Sequence, residues 1–221
     1  MELDFAERLL NNMSTMSSFI EAAKKKLNGK LPDVILDIGS RDLEQSIELK
    51  KHFPYSRIIA FEPNPPQFKI CEDLARINNI EAYNLALSDE EGNLDFWVVD
   101  GNPGCSSLLE PIHAPFSHNR WHKISVQCRR LDIFLPTINV NNVDVVWMDA
   151  QGVELKVLKG MGKYLDGVQA MHTEACPVPY YKNHILKNEI EDFLKSNNFD
   201  LKFIPAPVHP FGEGDLICIK K

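Results

Sequence analysis

The chain lacks a glycine-rich phosphate loop. No GxGxxG occurs in its 221 residues, and Gly39 alone stands in the turn after the first apolar run, Val34-Ile35-Leu36. A nicotinamide-dependent oxidoreductase needs that loop, so its absence counts against one. Paired cysteines are missing as well. Cys71, Cys105, Cys128, Cys176 and Cys218 are scattered, odd in number and without a CxxC. That pattern argues against a disulfide framework and a zinc site and suits a reducing compartment, so a cytoplasmic location is expected. No apolar stretch is long enough to span a membrane. The opening MELDFAERLL carries acids early and has no apolar core of a signal peptide. Positive charge is scarce: 24 Lys and Arg stand against 31 Asp and Glu, a net charge of −7. A broad phosphate-binding surface, and with it a nucleic-acid partner, is not expected.

What is present is an ordinary globular composition, 44% hydrophobic and 25% charged, in a chain long enough for one sizeable core. Apolar residues from Leu3 to Leu27 fall at helical spacing. Lys24, Lys25 and Lys26 suit the dipole at that helix's end, and Asn28-Gly29 stops it. Residues 1–30 read as an N-terminal helical segment packing on a main domain, 31–221. Val34–Leu36, Arg57–Phe61 and Ile80–Leu87 read as strands. Leu43–His52 and Pro65–Asn78 read as the helices between them. This βαβαβ order signals a parallel sheet covered by helices. Asn93–Val99 and Ile124–Cys128 read as strands flanking a long loop rich in Pro, Gly, Ser and His, and loops of that length are usually functional. Val143–Met148, helix Glu154–Leu165, strand Val168–Thr173 and helix Ile185–Ser196 continue the alternation. Leu201–Ile204 and Leu216–Ile219 close the chain as two strands.

Four acids mark predicted strand ends: Asp37, Glu62, Asp149 and Glu174. Open α/β sheets bind ligands at the carboxyl ends of their strands, so these acids should converge on one rim. An acid in the place of Glu62 can accept both hydroxyls of a ribose. Any one of them alone could be an ordinary turn or helix-capping residue.

The segments VILDIGSRD, IIAFEPNP, NLALSDEEGNLDF, RRLDIF, VDVVWMDAQGVELKVLKGM and HTEA, taken in order, resemble the motifs of the FkbM-type methyltransferases. The likeness runs from about Leu31 to Glu174. It implies a Rossmann-like class I methyltransferase: α/β, with a mostly parallel seven-stranded sheet, helices on both faces and a C-terminal antiparallel hairpin. It also implies S-adenosylmethionine as methyl donor. On that resemblance Asp37 lies near the cationic end of the donor, and Gly39, Ser40 and Arg41 line its methionine part. Glu62, Pro63 and Asn64 serve the ribose. Ala86, Leu87 and Ser88 border the adenine, with Asp89 as an acceptor for its amine, and Asp149 and Ala150 close the pocket. The donor carries no phosphate, so one glycine after the first strand suffices. The family pattern has asparagine, glycine, lysine and glutamate where Arg41, Leu43, Trp147 and Gln151 stand here.

The resemblance implies O-methylation of a small molecule, with a hydroxyl of a sugar or glycan as acceptor. Such hydroxyls are weak acids, so proton removal needs help. Asp149 and Glu174 are the candidate catalytic carboxylates, and His113 is the candidate base from the long loop, with His118 and His122 as its neighbours. His172 alternates within a buried strand and reads as structural, while His209 in the final hairpin could touch the acceptor. A divalent cation shared by Asp149 and Glu174 is conceivable, but two ligands are too few to assert a metal. Two rivals remain at this point, a nicotinamide-dependent oxidoreductase and a catalytically silent S-adenosylmethionine-binding module. Oligomeric state has no signature here.

Overall fold

The computed structural model describes residues 5–112, 120–206 and 212–221, with side chains of the first helix described from Thr15 onward. The long first helix, α1, spans Phe5–Leu27. It is followed by β1 (Val34–Ile38), α2 (Glu44–His52), β2 (Arg57–Phe61), α3 (Pro65–Asn78) and β3 (Glu81–Tyr83). A middle section holds β4 (Ala86–Leu87), β5 (Gly92–Val99) and β6 (Trp121–Arg129), then α4 (Leu131–Thr137). The chain ends with β7 (Val145–Met148), α5 (Glu154–Gly160), β8 (Ala170–Ala175), α6 (Lys187–Ser196), β9 (Phe199–Pro205) and β10 (Gly214–Lys220).

Seven strands form the main sheet in the order β3-β2-β1-β7-β8-β10-β9. β1 pairs in parallel with β2 and β7, β7 with β8, and β2 with β3. β10 runs antiparallel to both β8 and β9, which gives the expected closing hairpin. Alternation along each strand divides the core in two. Leu36, Ile38, Phe61, Val146 and Met148 face one side with Leu135, Val157 and Leu158. Ile35, Ile58, Val145 and Trp147 face the other side with Phe19, Ile20 and Ala23 of α1 and Leu49 of α2. The topology reverses between β1 and β7, which opens a crevice at the carboxyl ends of those strands.

Some elements differ from the sequence-based expectation. The strand expected over Ile80–Leu87 is split into β3 and β4, which belong to different sheets. Asn84 makes the break: its Nδ2 donates to the carbonyls of Glu62 (2.8 Å) and Pro63 (3.0 Å), turning the chain away from the main sheet. β4 then joins β6 and β5 in a separate three-stranded sheet. The helix expected over Glu154–Leu165 stops at Gly160 and resumes as a 3-10 turn over Gly162–Asp166. Gly162 sits at φ +50°. A Cβ on Gly160 would lie 2.1 Å from the Ser88 carbonyl oxygen, so the helix end packs directly on the β4 turn. RRLDIF, read only as a motif, contains the first turns of α4, whose entry is fixed by Arg130 forking onto Asp132 (3.0 and 2.6 Å).

Candidate active site

A cleft at the carboxyl ends of β1, β2, β7 and β8 encloses about 1080 Å³ of empty space, its open mouth included. One end is walled by Ile38, Gly39, Arg41, Phe61, Glu62, Pro63, Leu85, Ala86 and Leu87, with Ala150 and Val153 opposite. The other end is walled by Thr15, Gln45, Trp147, Asp149, Gln151, His172, Glu174 and Asp215. Phe96, Pro103, Gly104, Ser106 and Leu108 from the middle section stand over it.

The turn after β1 is set by backbone geometry. Gly39 has φ +83°, and a Cβ there would lie 1.8 Å from the carbonyl oxygen of Asp149. The glycine is therefore required by the close approach of the β1 and β7 ends. Arg41 and Leu43 also take positive φ, +48° and +67°. Glycine adopts such values freely and other residues at a cost. Leu43 offsets that cost by burying its side chain completely in the core beside Leu49. The loop aims the Arg41 N–H at Glu62 Oε2 (2.8 Å), while the Asn64 N–H reaches Glu62 Oε1 (2.8 Å). Burial pushes the Glu62 carboxyl up to about 7 against the pull of those two N–H groups, and Asp37 adds to the rise.

Asp37 is fully buried behind this wall. Its Oδ2 accepts from Ser46 Oγ at 2.5 Å, its Oδ1 has no hydrogen-bond partner among the described residues, and burial pushes it up to about 6. Ser40, whose hydroxyl donates to the Asp37 carbonyl (3.1 Å), is likewise buried behind the wall, as are Asn64 and Ser88. These four residues named from the sequence do not face the cleft; Gly39, Arg41, Glu62, Pro63, Ala86, Leu87, Asp149, Ala150 and Glu174 do.

At the far end Gln151 joins two half-buried carboxylates. Its Nε2 donates to Asp149 Oδ1 (2.6 Å) and to Glu174 Oε2 (2.9 Å). Its Oε1 accepts from the Tyr181 hydroxyl (2.7 Å), and its carbonyl accepts from Ser107 Oγ (2.7 Å). Gln151 too has positive φ, +52°. Burial raises Asp149 above the usual carboxylate range, and burial followed by the Asp149 charge raises Glu174 well above it. Glu154 brings an oxygen within 4.8 Å of one each from Asp149 and Glu174. Its carboxylate already accepts the N–H groups of Ala150 and Gly152, all at 3.1 Å.

Of the histidines, His113, His118 and His209 lie outside the described residues. His122 is exposed on β6, pairs with Asp100 at 3.1 Å and does not line the cleft. His172, read from the sequence as structural, lines the cleft beside Trp147. Sequence reasoning missed Thr15, Gln45, Trp147, His172 and Asp215 as wall residues. One signal could have found two of them: Trp147 and His172 each precede a strand-end acid by two residues, which places them on the same face of the sheet.

Comparison with known proteins identifies the family and its methyl donor. The family profile described as Methyltransferase FkbM domain matches residues 33–201. The chain belongs to the FkbM methyltransferase family. Its methyl donor is S-adenosylmethionine, which removes the nicotinamide alternative. The 2-O-methyltransferase NoeI of Sinorhizobium fredii is 29% identical over 197 residues, covering 84% of this chain and 79% of NoeI. Methyltransferase 1 of Beauveria bassiana is 26% identical over 161 residues, 64% of each chain. Among solved structures, magnesium protoporphyrin IX methyltransferase (ChlM) from Synechocystis PCC 6803, with bound SAM, superposes with a TM-score of 0.57. It does so at 9% identity, over 100% of this chain and 86% of ChlM, so the likeness is one of fold. Cofactor-bound Rv0187 from MTB gives a TM-score of 0.55 at 10% identity, over 93% and 79% of the two chains.

The residues present fit the methyl donor. Each Glu62 oxygen takes one backbone N–H and keeps a lone pair for the cleft, which matches a vicinal diol. Phe61, Leu85, Leu87 and Val153 offer apolar surface for a purine, and Asp149 supplies negative charge for a sulfonium.

Proposed function

We propose that this methyltransferase transfers a methyl group to a hydroxyl of a neutral, polyhydroxylated small molecule, a sugar or glycan. The observation that carries the reading is the chemistry of the far end of the cleft. Asp149, Glu174 and Asp215 line it with Gln45, Gln151 and Thr15, and among the described residues the cleft wall holds no lysine and one arginine, Arg41. Carboxylates and amides accept and donate to hydroxyls, whereas three acids repel phosphorylated or carboxylated acceptors. The similarity to NoeI, a 2-O-methyltransferase, agrees with a hydroxyl acceptor.

S-adenosylmethionine supplies an activated methyl group, so the chain's own work is binding, alignment and proton transfer. Glu62 binds the ribose hydroxyls, with Pro63 beside it. Asn64 fixes that carboxylate through its backbone N–H. Gly39 and Arg41 line the methionine part, while Asp37 and Ser40 support the turn from behind. Ala86, Leu87 and Ala150 flank the adenine, and Ser88 holds their turn. Asp149 faces the sulfonium, and Asp149 with Glu174 orients the acceptor hydroxyls through a geometry that Gln151 fixes. Burial and the Asp149 charge raise Glu174 well above the carboxylate range, which favours its protonated form as a donor toward the acceptor.

The test is transfer of labelled methyl from S-adenosylmethionine to three panels: neutral methyl glycosides, primary amines and sugar phosphates. Label in the neutral glycosides alone is expected. Label in amines alone would overturn the hydroxyl reading, and a preference for sugar phosphates would overturn the neutral one. No label in any panel would favour a silent binding module.

A further inference from the structure

Trp147 and His172 are register partners on β7 and β8, and Asp215 on β10 is the register partner of Glu174. Strand alternation puts His172 and Glu174 on one face of the sheet, with Trp147 and Asp149 beside them. The imidazole of His172 lies flat on the Trp147 indole, ring centroids 3.5 Å apart and planes 7° from parallel, with Phe19 of α1 meeting both edge-on. The stack fixes the ring plane. His172 is 3% exposed, yet neither Nδ1 nor Nε2 has a hydrogen-bond partner within the described residues. Nε2 lies 3.0 Å from Asp215 Oδ1, close enough for an ion pair but not aligned for a hydrogen bond.

A buried imidazole with both nitrogens unmatched is costly unless something else fills its place, and this one lines the cleft beside Asp149 and Glu174. The charged groups that face it are Asp215 from β10 and Asp149 from β7; α1 contributes Phe19. Both nitrogens are closed to water in the ligand-free protein, so an incoming hydroxyl supplies the missing partner once its binding parts the wall beside them, and Asp215 stands ready for the charge that follows.

We propose that His172 is the base that takes the proton of the acceptor hydroxyl, with Asp215 stabilising the imidazolium that results. This rests on the hydroxyl-acceptor reading above. The acceptor oxygen forms the new C–O bond to the methyl carbon. The methyl–sulfur bond breaks with its electron pair left on sulfur, the hydroxyl proton passes to the free imidazole nitrogen, and water later removes it. His172 thereby acts as a catalytic residue and Asp215 as a positioning residue.

The experiment has two arms. In the first, glycerol, the smallest polyol, is added to the full chain saturated with S-adenosylhomocysteine. The ring nitrogens of His172 are followed by NMR, and crystals of the same complex are soaked in glycerol. A saturable shift of the His172 nitrogens is expected, with a glycerol oxygen within about 3.2 Å of one of them. An unmoved His172 resonance with no such oxygen overturns the proposal. In the second arm His172→Asn, with His172→Gln as alternative should it misfold, is assayed on the glycoside that accepts methyl. A fall in kcat of roughly 10²–10³-fold is expected, with S-adenosylhomocysteine affinity within about twofold. Asp215→Asn should lower kcat less and move the acid limb of the pH–rate profile. Wild-type kcat in the His172 variant overturns the proposal. If the glycoside panel yields no product, the function reading fails, and the glycerol arm still decides the role of His172.

Discussion

At the donor end of the cleft the polar contacts are made by backbone. Two N–H groups grip Glu62, and the loop from Gly39 to Leu43 takes its shape from three residues at positive φ. At the acceptor end the polar contacts are made by side chains. Gln151 ties Asp149 to Glu174, Tyr181 ties Gln151, and His172 has no hydrogen-bonding partner among the described residues. The first arrangement suits a ligand that never changes, since backbone positions survive most substitutions. The second can be retuned by substitution, since each side chain can be exchanged without disturbing the turn beneath it. The two ends meet at Asp149, whose carbonyl oxygen abuts Gly39 and whose carboxylate joins Gln151.

Breaking the backbone end should cost the most. Gly39→Ala drives a Cβ to 1.8 Å from the Asp149 carbonyl at a φ that alanine adopts poorly. The strand ends of β1 and β7 must then separate, a destabilisation of about 3 kcal/mol or more. Denaturant unfolding should show a lower midpoint with the slope unchanged, and S-adenosylhomocysteine binding should fall in the same variant. Wild-type stability would mean that the strand ends can part freely.

Breaking the junction should cost turnover. Asp149→Asn keeps the shape and deletes the charge proposed to face the sulfonium. Loss of a preorganised group of this kind lowers kcat by roughly 10²–10³-fold. Affinity for S-adenosylhomocysteine, which carries no sulfonium charge, should change less. Full kcat in this variant would end the role of Asp149 in alignment.

The same contrast explains how much could be read in advance. The strand order, the closing hairpin and the rim acids follow from apolar runs and the residues that end them, so Glu62 and Asp149 were legible from adjacent motifs. Ser40, Asn64 and Ser88 were legible as neighbours of the site, but sequence adjacency could not tell which neighbour turns inward. Trp147, His172 and Asp215 come together only through the register of β7, β8 and β10, and Thr15 only through the docking of α1. Such pairings join residues 25 or more positions apart along the chain, as Trp147 with His172, and leave no local pattern. Leu43 and Gln151 stand where the family pattern has glycine and glutamate. In the structure each takes the positive φ its place requires and repays the cost elsewhere, Leu43 by burial and Gln151 by its network.

The gentlest test of the donor end uses protons. Glu62 is pushed up to about 7 from an ordinary 4.5. Between these two values the folded, ligand-free protein holds a proton that the unfolded chain has released. The stability this group contributes is therefore present in acid and is lost as pH rises from 4.5 toward 7, by about 1–3 kcal/mol. Asp37 and Glu154, raised to about 6 and about 7 by burial, act with the same sign. Glu62→Gln removes one of these contributions, to which Asp149 and Glu174 also add with the same sign. It also spoils one backbone N–H contact, but that loss is the same at every pH, so the slope of stability against pH isolates the carboxyl. The slope between pH 5 and pH 7 should be shallower in the variant. Ligand binding should respond in the opposite sense, because a diol is held by the ionised carboxylate. Affinity of the wild-type protein for S-adenosylhomocysteine should fall as pH drops through about 7, and Glu62→Ala should bind about tenfold or more weakly and lose that dependence. Parallel pH curves for wild type and variant, in stability and in binding alike, would remove Glu62 from the donor site and leave the backbone cradle without the group it holds.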